Sequence, residues 1–174
     1  MFEELSLHIL DIAMNSLAAG ARNIQIAVIE SVKHDWLIIR IRDDGRGMDG
    51  QTLKRVLARS FTSKSSRKKP IGLGLALLRQ SSEMCGGTFD IRSVQGCGTS
   101  ITASMRLSHV DRPPLGDLNA TILALCASNE AVEVQLHCRS DDGTFYFSSQ
   151  EGRPHEPRRT QKTQREGATT SRAT

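Results

Sequence analysis

The feature that most limits the possible folds is a pair of alternating segments, "NIQIAVIES" at residues 23–31 and "DWLIIRIRD" at residues 35–43. Apolar and polar residues alternate along both, which is the pattern of a β-strand with one buried face and one polar face. Lys33 and His34 lie in a tight link between the two segments. The two segments therefore predict an antiparallel hairpin.

The segments around this hairpin predict helices and further strands. "EELSLHILDIAMNSLAAGA" ends at Gly20, a normal helix stop, and has apolar residues near helical spacing at Leu7, Leu10, Ile12, Met14 and Leu17. "GQTLKRVLARS" predicts a short helix, and "GLGLALLRQSSEMCGG" a helix that begins and ends on glycines. "TFDIRSV" and "TSITASMRL" predict two strands around the turn "QGCG". Together they predict an α+β sandwich of helices on a sheet.

The chain divides into three predicted regions, and residues 1–108 form the first of them. Residues 109–149 follow as a small α/β appendage made of the linker "DRPPLGD", the helix "LNATILALCAS" and the hairpin "AVEVQLHC"/"TFYFSSQ". This appendage is too small to fold alone, so we expect it to pack on the main sheet. Residues 150–174 lack apolar periodicity and predict a disordered basic tail.

Composition limits the class of protein. The chain has 174 residues, 38% of them hydrophobic, which is enough for one globular domain with a real core. Its N-terminus "MFEELSLHIL" is acidic, and no apolar run approaches a membrane span, so we expect a cytoplasmic protein. The net charge is +4, but residues 150–174 hold six Lys/Arg against three Glu, and this tail has no aromatic residues for stacking. The composition therefore argues against nucleic-acid binding. The four cysteines show no C-x-x-C pair, so we expect free buried thiols.

Asp11 and Asn15 stand four residues apart on the first predicted helix, so their side chains share one face. They can be two ordinary polar residues on a solvated surface. They lie among apolar residues, however, and an oxygen-rich pair suits Mg²⁺ together with substrate phosphates.

The stretch "DDGRGM" places Asp43 at the end of the second strand, followed by Gly45 and Gly47. A carboxylate there can accept a hydrogen bond from an exocyclic amine, and the glycines let the backbone approach a flat ring. A tight turn is the simpler explanation of "DDG". Two alternating glycines favour a binding site.

A possible phosphate site follows at "IGLGL", where Gly72 and Gly74 begin a helix. Free N–H groups at a helix start favour anions, although a lone glycine pair is weak support. The preceding loop adds positive charge at Lys64 and three further cations, or is simply a solvated basic loop. Thr99 begins a strand after two glycines, where it can hydrogen-bond inward or only satisfy β-propensity.

The order of these segments is more informative than any one of them. "DIAMNSLAAGA", "DDGRGM", "IGLGL" and "GTS" resemble the N box, G1 box, G2 box and final Gly-Thr of the GHKL ATPases. This superfamily includes DNA gyrase, the large heat-shock chaperone, histidine kinases and MutL. The resemblance covers about residues 4–107 and implies the Bergerat fold: a two-layer α/β sandwich with a mixed, mostly antiparallel sheet and ATP held between the helices and a lid.

The resemblance also implies roles for individual residues. Asn15 would bind Mg²⁺, Asp43 the adenine amino group, and Thr99 would support the adenine end of the site. Asp11 takes the position of the catalytic Glu of the N box, with a side chain one methylene shorter. The remaining residues implied to contact the nucleotide lie in the boxes and the lid: Gly45, Gly47, Met48, Lys64, Gly72, Leu73, Gly74 and Leu75.

The function implied is that of a protein binding ATP and Mg²⁺. We expect a stand-alone regulatory kinase or nucleotide switch that acts on a separate protein, because no predicted segment supplies the dimerising helices and phosphoacceptor histidine of a sensor kinase. Two alternatives remain open at this point. One is an ATP-dependent protein-binding module with little turnover, and the other is a MutL-like or gyrase-like ATPase.

Overall fold

The computed structural model of the protein describes residues 4–59 and 73–150. The helices in this part of the chain are α1 (Leu5–Ala18), α2 (Gly50–Arg59), α3 (Leu73–Met84) and α4 (Leu118–Ser128). The strands are β1 (Asn23–Ser31), β2 (Trp36–Asp43), β3 (Phe89–Val94), β4 (Gly98–Arg106), β5 (Glu133–Arg139) and β6 (Thr144–Ser148). They form one six-stranded sheet in the order β3-β4-β2-β1-β5-β6.

The predicted fold class is confirmed. Neighbouring strands run antiparallel except β1 and β5, which pair in parallel, so the sheet is mixed and mostly antiparallel. Contacts of α1 with β2, α3 with β4 and α4 with β5 place helices against the sheet. The buried apolar residues of helices and strands form one core between the two layers.

The predicted hairpin is β1–β2, and its register explains the alternating pattern. Residues of β1 from Ile24 to Ser31 pair with residues of β2 from Asp43 back to Trp36. This register turns Ile24, Ile26, Val28, Leu37, Ile39 and Ile41 to the helix side, where all are buried. Full burial of one such side chain contributes about 1.5–3 kcal/mol, so this face holds the helices on the sheet.

Helix α1 lies against this core, but with a different set of residues than the spacing indicated. Its buried side chains include Leu5, Ile9 and Ile12, whereas Leu7 is 51% and Met14 43% exposed. Helix α1 therefore has more apolar residues than its buried face holds, and periodicity alone did not predict which of them face the core.

The C-terminal segment joins the main sheet, since β5 pairs with β1 and β6 pairs with β5. Its linker also caps the start of α1, because Leu5 N donates to Pro114 O (2.9 Å) and Ser6 N donates to Leu115 O (2.8 Å). These two N–H groups belong to the first turn of α1 and have no partner within the helix. The division at residues 108 and 149 stays a prediction, and most of the predicted tail lies outside the described residues.

All four cysteines are free, as expected. Cys85 is buried and Cys126 and Cys138 are half-buried, and burial raises the pKa of each of these thiols. Cys97 is exposed, so the prediction of a buried thiol is wrong there, because Cys97 lies in the turn between β3 and β4. Within residues 4–59 and 73–150, no helix has the length and apolar character to cross a bilayer.

Candidate functional site

Several of the residues singled out in the sequence lie at the carboxyl end of β2 or on the helix beside it. Asp43 ends β2 and pairs with Thr99 of β4. Helix α1 lies against β2, carries Asp11, Asn15 and Ser16, and contacts this end through Ser16. The start of α3 packs on α1 at Asp11.

Asp43 is the centre of the arrangement. Its side chain points into the core side of the sheet, and the residue is only 8% exposed. One carboxylate oxygen, Oδ2, accepts from Ser16 Oγ at 2.7 Å. The other, Oδ1, accepts from Gly45 N at 2.9 Å and from Thr99 N at 3.3 Å. The donors that hold this buried carboxylate are therefore a hydroxyl and two backbone amides.

Ser16 was not recognised in the sequence. It is 4% exposed and lies on the buried stripe of α1, next to Asn15. A signal was present, because a polar residue within an apolar stripe needs a hydrogen-bond partner. The sequence could not say that the partner is Asp43, which is 27 residues away along the chain.

The glycines around Asp43 are required by close backbone packing. Gly47 has a φ of +60°, and a Cβ there would lie 2.0 Å from the carbonyl oxygen of Val94. Gly98 has a φ of +97°, and a Cβ there would lie 2.0 Å from the carbonyl oxygen of Asp43. Gly45 is less restricted, with its nearest contacts at 3.1 Å. Gly47 thus has a structural reason to be glycine, whether or not it also flanks a ligand.

A cavity of about 440 Å³ opens beside these glycines. Its lining residues are Arg46, Gly47, Met48, Asp49, Thr52, Gln95 and Gly96. Met48 is fixed at the cavity wall because its N–H donates to Ser93 Oγ at 2.9 Å. Ser93 Oγ is also 2.9 Å from Thr99 Oγ1, so a chain of hydrogen bonds joins the cavity wall to the strand beside Asp43.

Asp11 contacts the start of α3. Its Oδ2 accepts from Gly74 N at 2.7 Å, and a Cβ on Gly74 would lie 2.8 Å from the same oxygen. The carboxylate therefore takes an N–H group of the first turn of α3, where negative charge is favoured. This is the N–H that the sequence assigned to a phosphate, so the two roles compete at Gly74.

Asn15 lies one turn after Asp11 on α1 and is half-buried. Among the described residues, no hydrogen bond to its side-chain amide is found, and no group of three His, Cys, Asp or Glu could hold a metal ion. A cation site here would therefore need the amide oxygen of Asn15, water and the ligand's own oxygens. That donor set fits Mg²⁺, which often takes one or two protein ligands and completes its shell with water and phosphate.

The remaining residues predicted to contact the nucleotide are Leu75, Leu73, Lys64 and Gly72. Leu75 is 8% exposed and belongs to the core, so its backbone is the part left for a ligand. Leu73 begins α3 and is 57% exposed. Lys64 and Gly72 lie outside the described residues.

Asp44, next to Asp43, has a structural role that the sequence did not indicate. Its carboxylate accepts from Arg22 N (2.7 Å), Asn23 N (2.9 Å) and Asn23 Nδ2 (2.6 Å). Burial raises the pKa of Asp44, but these hydrogen bonds outweigh it and leave the pKa below its ordinary value. Asp44 thus ties the end of β2 to the junction between α1 and β1.

Residues 1–109 match the family model described as "Histidine kinase-, DNA gyrase B-, and HSP90-like ATPase". The sensor histidine kinase ZraS of Escherichia coli O157:H7 is 26% identical over 114 residues, which are 66% of this chain and 24% of ZraS. The sensor histidine kinase DcuS of Escherichia coli (strain K12) is 31% identical over 75 residues, which are 43% of this chain and 13% of DcuS. The chain therefore spans about a quarter or less of these relatives.

Among solved structures, the Aquifex aeolicus MutL ATPase domain complexed with ADP aligns with a TM-score of 0.49 at 15% identity. The alignment covers 81% of this chain and 61% of that chain.

Proposed function

We propose, from the premise that this chain belongs to the family of histidine kinase-, DNA gyrase B- and HSP90-like ATPases, that it binds ATP with Mg²⁺ and acts through it on a separate protein. In this proposal the adenine lies at Asp43 and the phosphates lie toward the start of α3. The protein is a regulatory kinase or a nucleotide-dependent switch.

The observation that carries the proposal is the hydrogen bonding of Asp43. An ionised carboxylate offers about four acceptor positions. Three are filled by Ser16 Oγ, Gly45 N and Thr99 N. One acceptor position therefore remains on a nearly buried carboxylate, and an exocyclic amino group such as that of adenine supplies the donor it needs.

The metal-binding part of the proposal is assigned to Asn15. Asn15 lies one turn after Asp11 on the same face of α1, and Asp11 contacts the start of α3. When bound, Mg²⁺ would neutralise phosphate charge and orient the phosphate chain. Lys64, Gly72 and Gly74 are the residues that we assign to the phosphates, on the motif resemblance.

Transfer to a protein is favoured over hydrolysis by two considerations. The matched relatives include sensor histidine kinases, which are named for phosphoryl transfer. In addition, Asp11 occupies the position expected of a general base, yet its Oδ2 accepts a 2.7 Å hydrogen bond from Gly74 N. A carboxylate oxygen engaged in this way is less available to take a proton from water.

The same contact supports a second candidate function, an ATP-dependent protein-binding module with little turnover. If Asp11 stays bonded to Gly74, ATP binding would change the surface of the protein without rapid cleavage. Measuring ADP formation at saturating ATP separates the candidates, because both transfer to a protein and hydrolysis produce ADP. Tight binding with negligible ADP formation in the absence and presence of other proteins would favour the binding module.

Calorimetric titration with ATP and Mg²⁺ tests the proposed site. Asp43→Asn keeps the shape of the side chain but can present a donor where adenine needs an acceptor. We expect affinity to fall roughly ten- to a hundredfold, since a lost buried hydrogen bond costs about 1–3 kcal/mol. Asp142→Asn, an exposed acid in the turn between β5 and β6, is the matched control and should bind ATP like the parent. Equal affinities for the parent and Asp43→Asn would refute the assignment of Asp43.

A further inference from the structure

The face of the sheet that points away from the core carries a set of arginines. We call it the open face. Two rows of its outward positions cross all six strands in the strand register, and Trp36, Arg106, Glu133 and Arg139 lie on the same face nearer the strand ends. One row is Asp90, Thr102, Arg40, Ala27, His137 and Tyr146, and the other is Arg92, Ser100, Arg42, Gln25, Gln135 and Ser148.

Arg40 and Arg42 stand at the centre of the open face. Both are exposed, and two residues along one strand separate them by about 7 Å. Thr102 and Ala27 flank Arg40 on the neighbouring strands. Because these neighbours are short, the guanidinium groups project from the sheet and are accessible to a partner.

The arginines of the open face outnumber its acids. The cations are Arg40, Arg42, Arg92, Arg106 and Arg139, and the acids are Asp90 and Glu133. The contacts of both acids are local, since Asp90 pairs with Arg92 at 2.9 Å and Glu133 accepts from Gln135 and Ser148. Among the described residues, Arg40 and Arg42 form no ion pair. An ordinary solvated face intersperses the two signs, whereas this one leaves two adjacent arginines unmatched.

We propose that the open face is a docking surface for an acidic surface of a protein partner. Two unpaired guanidinium groups about 7 Å apart match carboxylates presented on alternate residues of an extended segment, or one turn apart on a helix. Arginine forms bidentate contacts with carboxylates and is enriched at protein interfaces. This surface gives the proposed protein-directed function a place for its partner, on the side of the sheet away from Asp43.

The rings of the open face favour a protein over a nucleic acid. Single-stranded nucleic acids need exposed aromatic faces on which bases can stack. Here the Arg106 guanidinium lies over the Trp36 ring at 4.5 Å. The ring of Tyr146 is paired with His137, with centroids 4.5 Å apart.

Neither the C-terminal segment nor the same face of a second copy suits this surface. Residues 150–174 hold six Lys/Arg against three Glu, so they offer no acidic complement. A second copy would bring the same arginines into contact with these, and like charges directly opposed are unfavourable.

Fluorescence anisotropy with a labelled poly-L-glutamate peptide at low salt tests this surface. No nucleotide is added, so the result does not depend on the proposed ATP site. Replacing both central arginines, Arg40→Ala with Arg42→Ala, should weaken binding about tenfold, because two exposed charge pairs are lost. Lys54→Ala with Arg55→Ala is the matched control, since it removes two exposed cations from α2 and should leave binding unchanged. The paired Arg→Lys changes should retain part of the affinity.

Three results would overturn the proposal. The first is no binding of the parent to poly-L-glutamate. The second is equal weakening by both Ala pairs, which would indicate a nonspecific charge effect. The third is tighter binding of a labelled poly-dT of equal charge than of poly-L-glutamate, with a loss of affinity on the Arg40 and Arg42 changes, which would make the open face a nucleic-acid surface instead.

Discussion

At the scale of single residues, two neighbouring aspartates at the end of β2 perform different tasks because their side chains face different surroundings. Asp43 is buried beside α1, where Ser16, Gly45 and Thr99 hold its carboxylate. Asp44 is exposed and binds the junction before β1. The motif "DDG" therefore combines a residue suited to ligand recognition with one that fixes the loop carrying it.

Ser16→Ala should destabilise the fold and weaken ATP binding together. The change removes the 2.7 Å hydrogen bond to Asp43 Oδ2, and the nearly buried carboxylate loses one of its donors. A hydrogen bond to a charged group contributes about 1.5–3 kcal/mol, so urea unfolding should show a loss of that order. Calorimetry with ATP should show a weaker complex, because Asp43 is no longer held in one orientation.

The control for this change is Ser82→Ala. Ser82 is fully buried in α3, but its hydroxyl donates only to Leu78 O at 2.8 Å within the same helix. Bonds of this kind contribute little to helix stability, so Ser82→Ala should be close to neutral. If the two variants lose the same stability and neither changes ATP affinity, Ser16 is not a positioning residue for Asp43.

At the scale of elements, the position of the candidate site depends on hydrogen bonds between the loop after β2 and the neighbouring elements. Asp44 links β2 to Arg22 and Asn23, and Arg46 N donates to Ala19 O at 3.0 Å just beyond α1. Gly96 N donates to Arg46 O at 2.7 Å from the turn between β3 and β4. The loop after β2 is therefore held from both sides, which fixes Asp43 and Gly47 relative to α1.

Because the pKa of Asp44 is lowered in the folded protein, the stability contributed by its hydrogen bonds depends on pH. Its folded pKa lies below the ordinary value near 3.9, because hydrogen bonds from Asn23 and Arg22 outweigh the effect of burial. A carboxyl with a lowered folded pKa stabilises the fold fully above its unfolded pKa, and this stabilisation is lost as pH falls through the folded pKa. Stability measured by urea unfolding should therefore fall below about pH 4.

Asp44→Asn should lower stability at neutral pH and reduce the loss of stability on acidification. Part of the remaining loss comes from Asp35, Asp49 and Asp141, because hydrogen bonds lower the pKa of each of these carboxyls too. Asp142→Asn, which replaces an exposed acid in a distant turn, should keep the parent's profile. A parent and an Asp44→Asn variant with parallel profiles from neutral to acid pH would exclude Asp44 as the source of the dependence.

At the scale of the whole molecule, the sequence predicted each element but not all of their neighbours. Alternation and helical spacing placed β1, β2 and α1 correctly, because these patterns reflect burial on one face. They could not predict that β5 would pair with β1 in parallel, since periodicity specifies a buried face and not a neighbouring strand. The contacts of Ser16 with Asp43 and of Asp11 with Gly74 were hidden for the same reason: each joins residues distant along the chain.

The whole-molecule arrangement predicts that the purified protein will not phosphorylate itself on histidine. His8 is buried on α1, seven residues and about 10 Å along the axis before Asn15. In-line transfer needs the acceptor about 3 Å from phosphorus. His137 lies on the open face, on the opposite side of the sheet. His34 lies in the link between β1 and β2, and His109 lies in the link between β4 and α4. His155 lies outside the described residues.

Incubation with ATP and Mg²⁺, followed by mass spectrometry under basic conditions, checks this prediction. We expect no phosphohistidine on the protein alone. An acid-labile phosphate located on any of these histidines would mean that the protein is its own substrate.

The central claim is that Asp43 recognises the amino group of adenine, and comparing ATP with inosine triphosphate tests it most directly. Inosine carries a carbonyl oxygen where adenine carries the amino group, so it presents an acceptor to the acceptor on Asp43. The parent protein should prefer ATP roughly ten- to a hundredfold in calorimetric titration, and Asp43→Asn should lose most of that preference. Equal affinity of the parent for the two nucleotides, or an undiminished preference in Asp43→Asn, would contradict this assignment.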